Sequence, residues 1–241
     1  MIKHIPNAIT SANLFFGCLA IVATFDGNPT LAASYIVIAA ILDFFDGFAA
    51  RLLKVSGEMG KQLDSLADVV SFGVAPGFIF YMHSQAHLQF NNNFFQFVPL
   101  LIVISYLPFL LMIFSAIRLA KFNIDPRQSD SFIGLPTPAN ALFICAIPFV
   151  MDNGPIWAEN IFTSFSFLCL YPIIFSYLLI AELPLFALKF KHFKWKGNEI
   201  RFAFIALCFV LIAAFTYVGI ALSIFAYLCI SILLKIKNNL A

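Results

Sequence analysis

The chain has 241 residues, 62% hydrophobic and 11% charged, with a mean hydropathy of +0.95 and a formal net charge of +2. A soluble domain carries about a quarter of its residues as charges, so this composition excludes a soluble globular protein and points to a polytopic membrane protein. A charge so close to zero, with no basic stripe, also excludes nucleic acid as a partner.

The predicted elements are apolar helices. The first, near 9–25, has no small-residue cleavage site behind it and reads as a retained span, not a removable signal. Others centre near 31–50, 64–82, 97–119, 137–151, 162–186, 201–216 and 219–235. Each span consumes about 20 residues, so the length allows one membrane domain of about eight transmembrane helices and no second soluble domain. The last two come from one unbroken run, RFAFIALCFVLIAAFTYVGIALSIFAYLCISILLKI. As a single helix its roughly 36 residues would reach nearly twice the hydrocarbon thickness, so a turn is expected around Thr216, Tyr217 and Gly219. The predicted fold is an all-α membrane bundle. Cys18, Cys145, Cys169, Cys208 and Cys229 all fall inside apolar segments, with neither the parity nor the spacing of a disulfide framework or a zinc site.

Charge sidedness tests the count independently. Lys3 precedes the first helix; Arg51, Lys54 and Lys61 follow the second, and Arg118, Lys121 and Arg127 the fourth. Lys189, Lys191, Lys194, Lys196 and Arg201 follow the sixth, and Lys235 and Lys237 the eighth. Eight spans put all 14 Lys and Arg on one side, whereas the opposite loops around 26–29, 83–93 and 151–160 contain none. The positive-inside rule then makes both termini and the basic loops cytoplasmic, with Trp157 and Trp195 near span ends as interfacial anchors. The cluster KFKHFKWK, 189–196, is placed to attract anionic lipid, although topology alone also puts it there.

Four aspartates stand out against this apolar background. Asp43 and Asp46 are three residues apart on the second helix, and Asp64 and Asp68 four apart on the third, so each pair shares a helical face near the cytoplasmic side. An acid at the membrane centre costs about 2.5–3.5 kcal/mol, and four together repel unless protonated or neutralised. The basic residues nearby in sequence, Arg51, Lys54 and Lys61, sit at helix ends that suit a phosphate better than full neutralisation. A divalent metal is the economical solution: hard oxygen ligands suit Mg²⁺, Mn²⁺ or Ca²⁺, and two such ions a few ångströms apart can clamp a diphosphate. Gly47 and Ala50 share the stripe of Asp43 and Asp46, and Gly60 and Ser71 that of Asp64 and Asp68, which leaves room for a ligand or permits close helix packing.

The segment fits DxxDGxxAR(x8)GxxxDxxxD through Asp43, Asp46, Gly47, Ala50, Arg51, Gly60, Asp64 and Asp68 without departure. It resembles the signature of the CDP-alcohol phosphatidyltransferases. NAITSANLFFG, DSLADVVSFGVAPG, RLAKFNI and GLPTPANA extend the similarity, over roughly the first 145 residues, to the phosphatidylserine synthase branch. The resemblance implies a six-helix catalytic core, expected over 1–186, with a basic loop and two further helices over 187–241, in a homodimer. It also implies transfer of a phosphatidyl group from CDP-diacylglycerol to an alcohol, here the hydroxyl of L-serine, with release of CMP.

Carried onto these positions, the resemblance makes Asp43, Asp46 and Asp64 ligands of Mg²⁺ or Mn²⁺, two ions per site, and Asp68 the general base and possible further ligand. A serine hydroxyl is a poor nucleophile near neutral pH, so a carboxylate within hydrogen-bond reach is required. Gly47, Ala50, Arg51 and Gly60 are expected to hold the CDP portion. The fixed place of Arg51 in the motif favours a phosphate ligand, with anchoring at a helix end as the alternative. Arg118 and Lys121 are expected to hold the serine carboxylate or a donor phosphate, or to serve as positive-inside anchors. Asn7, Thr10 and Asn13 recur at near-helical spacing and either line the nucleotide pocket or cap and bridge helices. His83 and His87 have the spacing of a helical metal pair but lie on the other side, with no third ligand nearby.

Three rival readings accompany this one. An acceptor such as glycerol 3-phosphate or inositol phosphate would demand more converging basic residues than are present. A divalent-cation transporter would place its acids near the midplane between repeated halves, not at one face. A purely structural role leaves the uncompensated aspartates unexplained.

Overall fold

The computed structural model describes residues 4–55, 57–89, 103–125, 132–186, 195 and 198–239. Arg127, the phenylalanine and lysine positions of 189–194, and Lys196 lie outside the described residues, as do Lys3 and the loop residues 90–93.

Helix α1 (Ile5–Phe25) opens with Pro6 in its first turn, where a missing N–H costs nothing, and buries Thr10, Asn13, Gly17, Ala20 and Ala23 along one stripe. Gly27, at φ 76°, turns the chain, and the Asn28 side chain caps α2 (Pro29–Leu53) by accepting from the Leu31 N–H at 3.0 Å. The two helices pack along small faces, α2 offering Ala32, Ala33, Ile36 and Ala39. Such side chains let membrane helices approach closely. Lys54 in the left-handed region (φ 53°) ends α2.

Helix α3 (Glu58–Asp68) passes through a π-helical segment (Val69–Val74) into α4 (Ala75–Gln89). The wide turn begins directly after Asp68, and such insertions are frequent at functional sites. Before it the helix carries its acids; beyond it Ile79 and Phe80 are fully buried. Helix α5 (Pro108–Ile124) packs against the π segment, with Gly73 pressed against Ser115. After it, strand β1 (Phe132–Ile133) pairs antiparallel with β2 (Pro184–Leu185), in the register Phe132 to Leu185 and Ile133 to Pro184.

Helix α6 (Thr137–Asn153) is the centre of the bundle, burying residues on every side from Thr137 to Val150. It contacts α2, α4, α5 and the C-terminal helix. Helices α7 (Ile156–Phe162) and α8 (Phe165–Ile180) meet at a bend of 63°. The expected continuous helix over 162–186 is therefore corrected at both ends. The Ser164 hydroxyl caps a new helix by accepting from the Phe167 N–H at 3.3 Å, and at the other end the chain leaves α8 to form β2 at Pro184. Helices α9 (Glu199–Phe215) and α10 (Tyr217–Asn239) join at Thr216, whose φ of 50° supplies the expected turn.

Helices occupy all eight expected regions. Among the described residues, four helical stretches, Ile5–Phe25, Glu58–Leu88, Val103–Ile124 and Tyr217–Ile236, are long and apolar enough to cross a membrane, and α7 with α8 makes a fifth if the bent pair is one span. The described residues do not reach the count of eight spans on that standard. Helix α2, at 25 residues, would extend about 38 Å but carries Asp43, Asp46 and Arg51; α6 and α9 have 17 residues each. Helix α9 buries only Phe204 and leaves Phe209 77% exposed, as suits a lipid-facing helix. All five cysteines are free.

Candidate active site

Helices α1, α2 and α3 converge at one end of the bundle. One carboxylate oxygen each from Asp43, Asp64 and Asp68 lies within 4.8 Å of the others, so the two helical pairs read from spacing face each other across the α2–α3 boundary. Asp46 is held apart from this trio. It is 6% exposed and accepts from the Thr10 hydroxyl at 2.6 Å, yet remains within electrostatic range of Asp43, Asp64 and Asp68.

Helix α1 forms the back wall. Asn13, fully buried, points its side-chain nitrogen at Asp68 from 3.4 Å, and its backbone carbonyl accepts from Ser71 at 3.1 Å. Its side-chain oxygen is buried without a partner among the described residues. One turn further on, Gly17 lets α1 touch the π segment: a Cβ there would run into the Ser71 side chain. Asn7 stands over Gly60, where a Cβ would lie 3.1 Å from the Asn7 side-chain oxygen. The Arg51 side chain, exposed, folds back towards Gly47, and Ala50 is half-buried beside it. Thr10 and Asn13 contact the aspartates directly, whereas Asn7 meets Gly60 and Arg51 meets Gly47 on the helices that carry them.

Arg118 enters from α5. Only 6% exposed, it donates through Nη1 to the Thr137 hydroxyl at 3.2 Å, stacks its guanidinium 5.5 Å from the centre of the Phe122 ring, and stands within electrostatic range of Asp68. Its Nε has no partner among the described residues. Beside it opens a cleft of about 230 Å³ lined also by exposed Lys121 and by Asp125 and Glu182. A latch fixes this end of α5 to α3: Lys61 donates to the Asn123 carbonyl at 2.8 Å, and Asn123 donates to the Ser65 hydroxyl at 2.7 Å.

Thr137 and Glu182 were not among the residues expected here. Thr137 opens α6 within GLPTP, and its role shows only once α6 is seen beside α5. Glu182 was hidden in a run read as helix; a lone acid just before Pro184 was its available signal. The two histidines form no comparable centre: His83 Nε2 contacts the Phe162 carbonyl at 3.0 Å, and the His87 ring lies 4.7 Å away.

Chemically, three converging hard oxygen ligands suit a divalent cation, which a trio of unpaired carboxylates needs. The donor set therefore fits Mg²⁺ or a similar ion. Residues 3–163 match the model of the family described as CDP-alcohol phosphatidyltransferase. The CDP-diacylglycerol–serine O-phosphatidyltransferase of Bacillus subtilis (strain 168) is 33% identical over 197 residues, covering 82% of this chain and 95% of that protein. The protein of the same description from Helicobacter pylori (strain J99) is 37% identical over 150 residues, 61% of this chain and 58% of its own length. That from Mycobacterium leprae is 30% identical over 239 residues, 95% of this chain and 73% of the relative. The chain belongs to the CDP-alcohol phosphatidyltransferase family.

Proposed function

We propose that this protein transfers the phosphatidyl group of CDP-diacylglycerol to the hydroxyl of L-serine and releases CMP, by direct displacement at phosphorus. The observation that carries the reading is the convergence of Asp43, Asp64 and Asp68, with buried Arg118, which lines a cleft, within electrostatic range of Asp68. The relatives described as serine O-phosphatidyltransferases support the acceptor.

Asp43, Asp64 and Asp68 present the converging oxygens of the cation site, Asp46, turned to Thr10, would complete it from the edge, and Asp68 also serves as the base. When bound, Mg²⁺ or Mn²⁺, two ions in this reading, offsets the diphosphate charge and the charge that grows on the departing CMP. Asp68 accepts the serine hydroxyl proton as the serine oxygen bonds to the phosphatidyl phosphorus. The bond from that phosphorus to the oxygen bridging towards CMP breaks. Asn13 orients Asp68, and Thr10 orients Asp46. Asn7, Gly47, Ala50, Arg51 and Gly60 bind the CDP moiety, with the small residues leaving room and the Arg51 fork suited to a phosphate. Arg118 and Lys121 hold the serine carboxylate.

The acyl chains of the donor remain in lipid while serine arrives from water. Arg51, Lys54, Lys61, Arg118 and Lys121 cluster towards the aspartate end, which supports a cytoplasmic active site with both termini on that side. Residues 1–186 form the catalytic core in this reading, residues 187–241 add the C-terminal pair, and the enzyme works as a homodimer.

The test is CMP release by purified protein supplied with CDP-diacylglycerol, Mg²⁺ or Mn²⁺, and either L-serine or glycerol 3-phosphate. Serine-dependent release that stops on chelation and returns with the metal is expected. Release with glycerol 3-phosphate alone would overturn the acceptor and keep the chemistry.

A further inference from the structure

We infer that the cleft beside Arg118 is a two-signed pocket selecting a zwitterionic acceptor, in which Arg118 and Lys121 take the carboxylate and Glu182 takes the ammonium group. The inference rests on the serine-transfer reading and deepens it by assigning the residue that recognises the amine. Its starting point is Arg118. A guanidinium that is 6% exposed, with Nη1 bound to Thr137 and Nε unpartnered, lines a cleft and has donor capacity left for an anion. The second observation is the charge of the lining. Arg118 and Lys121 are matched by Asp125 and Glu182, and the remainder is isoleucine and leucine. A phosphorylated acceptor would bring excess negative charge to two carboxylates. A zwitterion meets both signs and adds no net charge. At about 230 Å³ the cleft lies below the roughly 300–1,000 Å³ typical of drug-sized ligands, as a small solute requires.

The backbone explains why Glu182, rather than Asp125, is the ammonium partner. Asp125 follows Lys121 by four residues at the end of the same helix, whereas Glu182 comes from the α8 side of the cleft. Glu182 sits at the apex of a three-residue turn in which the Leu183 N–H donates to the Ala181 carbonyl at 2.8 Å. The β1 side holds that turn: the Gly134 N–H donates to the Leu183 carbonyl at 3.0 Å, and the Leu135 N–H to the Leu178 carbonyl at 2.9 Å. Gly134, at φ 79°, is needed for this approach, since a Cβ would stand 3.2 Å from the Ala181 carbonyl oxygen and closer still to that of Leu179. Glu182 is thereby presented by a clamped turn next to the cationic wall, and the Arg118 end of the cleft lies towards Asp68.

The experiment measures CMP release in lipid with CDP-diacylglycerol and three acceptors: L-serine, 3-hydroxypropionate, which lacks the amine, and ethanolamine, which lacks the carboxylate. For Glu182→Gln, KM for L-serine should rise about tenfold or more with kcat within about threefold and KM for CDP-diacylglycerol unchanged, the pattern of lost acceptor binding. Its preference for L-serine over 3-hydroxypropionate should fall by the same factor. Lys121→Gln should lower the preference for L-serine over ethanolamine. Glu182→Asp, which keeps the charge, should retain most serine affinity and guards against a folding defect in Glu182→Gln. If the wild type turns over L-serine but Glu182→Gln keeps the same serine KM and preference, the pocket assignment falls and the transfer reading stands. If the wild type releases no CMP with L-serine, the transfer reading itself fails and the pocket assignment with it.

Discussion

The two ends of the bundle treat their acidic side chains in opposite ways. At the end away from the aspartate cluster, Asp152 at the close of α6 accepts from Thr30 at the start of α2 at 2.6 Å, and His83 meets the Phe162 carbonyl. Each is answered by one protein partner. At the aspartate end, Asp43, Asp64 and Asp68 are gathered against one another, and among the described residues neither the Asn13 side-chain oxygen nor the Arg118 Nε has a partner. Asp152 and His83 are answered within the fold, whereas the three gathered carboxylates, Asn13 and Arg118 keep capacity for a ligand. Buried hydroxyls without a partner among the described residues, such as that of Ser84 beside His83, show that a missing partner alone does not mark the site. Leaving a buried polar group unanswered costs about 1–3 kcal/mol, so a site incomplete at several positions is retained for what fills it.

The difference between the two ends is largest at the trio. Asp64→Asn should lower CMP release by about 10²-fold or more, since losing about 3 kcal/mol of charge stabilisation slows a step by roughly that factor. The same substitution removes like-charge repulsion, so the thermal midpoint measured without divalent cation should rise. Lower activity with higher stability is the signature of a functional, not structural, acid. A smaller effect is expected at Gly17→Ala. Its Cβ would drive into Ser71 and disturb Asn13 and Asp68, costing about 1–3 kcal/mol by denaturation and reducing turnover with it. Thr10→Val keeps the shape but deletes the donor to Asp46. A loss of about 1 kcal/mol in stability and a rise in the metal concentration needed for half-maximal activity should follow. Smallest of all, Thr30→Val at the far end should cost at most about 1 kcal/mol in unfolding and leave kcat within about twofold.

Much of this division was legible in the sequence. The eight apolar segments and the turn at Thr216 follow from hydropathy and length, and the spacing of Asp43, Asp46, Asp64 and Asp68 places each pair on one helical face. Spacing does not show which acids meet, and Asp46 turns instead to Thr10 on another helix. The bend at Thr163 and Ser164 escaped because FTSFS has the composition of the surrounding span, and only the cap formed by Ser164 distinguishes it. The π turn after Asp68 was invisible for a similar reason: helix composition does not encode an added residue per turn. Glu182 was missed because an apolar run was extended past Pro184, although proline removes the N–H that a continuing helix needs. The pairing of β1 with β2, which clamps that turn, joins residues about fifty positions apart and has no local signature.

The most direct test of the central claim sets the two ends side by side. CMP release from CDP-diacylglycerol with L-serine and Mg²⁺ would be measured for the wild type, Asp68→Asn and Asp152→Asn, each checked for folding by its thermal midpoint. The account predicts that Asp152→Asn retains wild-type turnover while Asp68→Asn loses about 10²–10⁴-fold, the range expected for removal of a general base. Undiminished release by Asp68→Asn, or an equal loss in both variants, would contradict it.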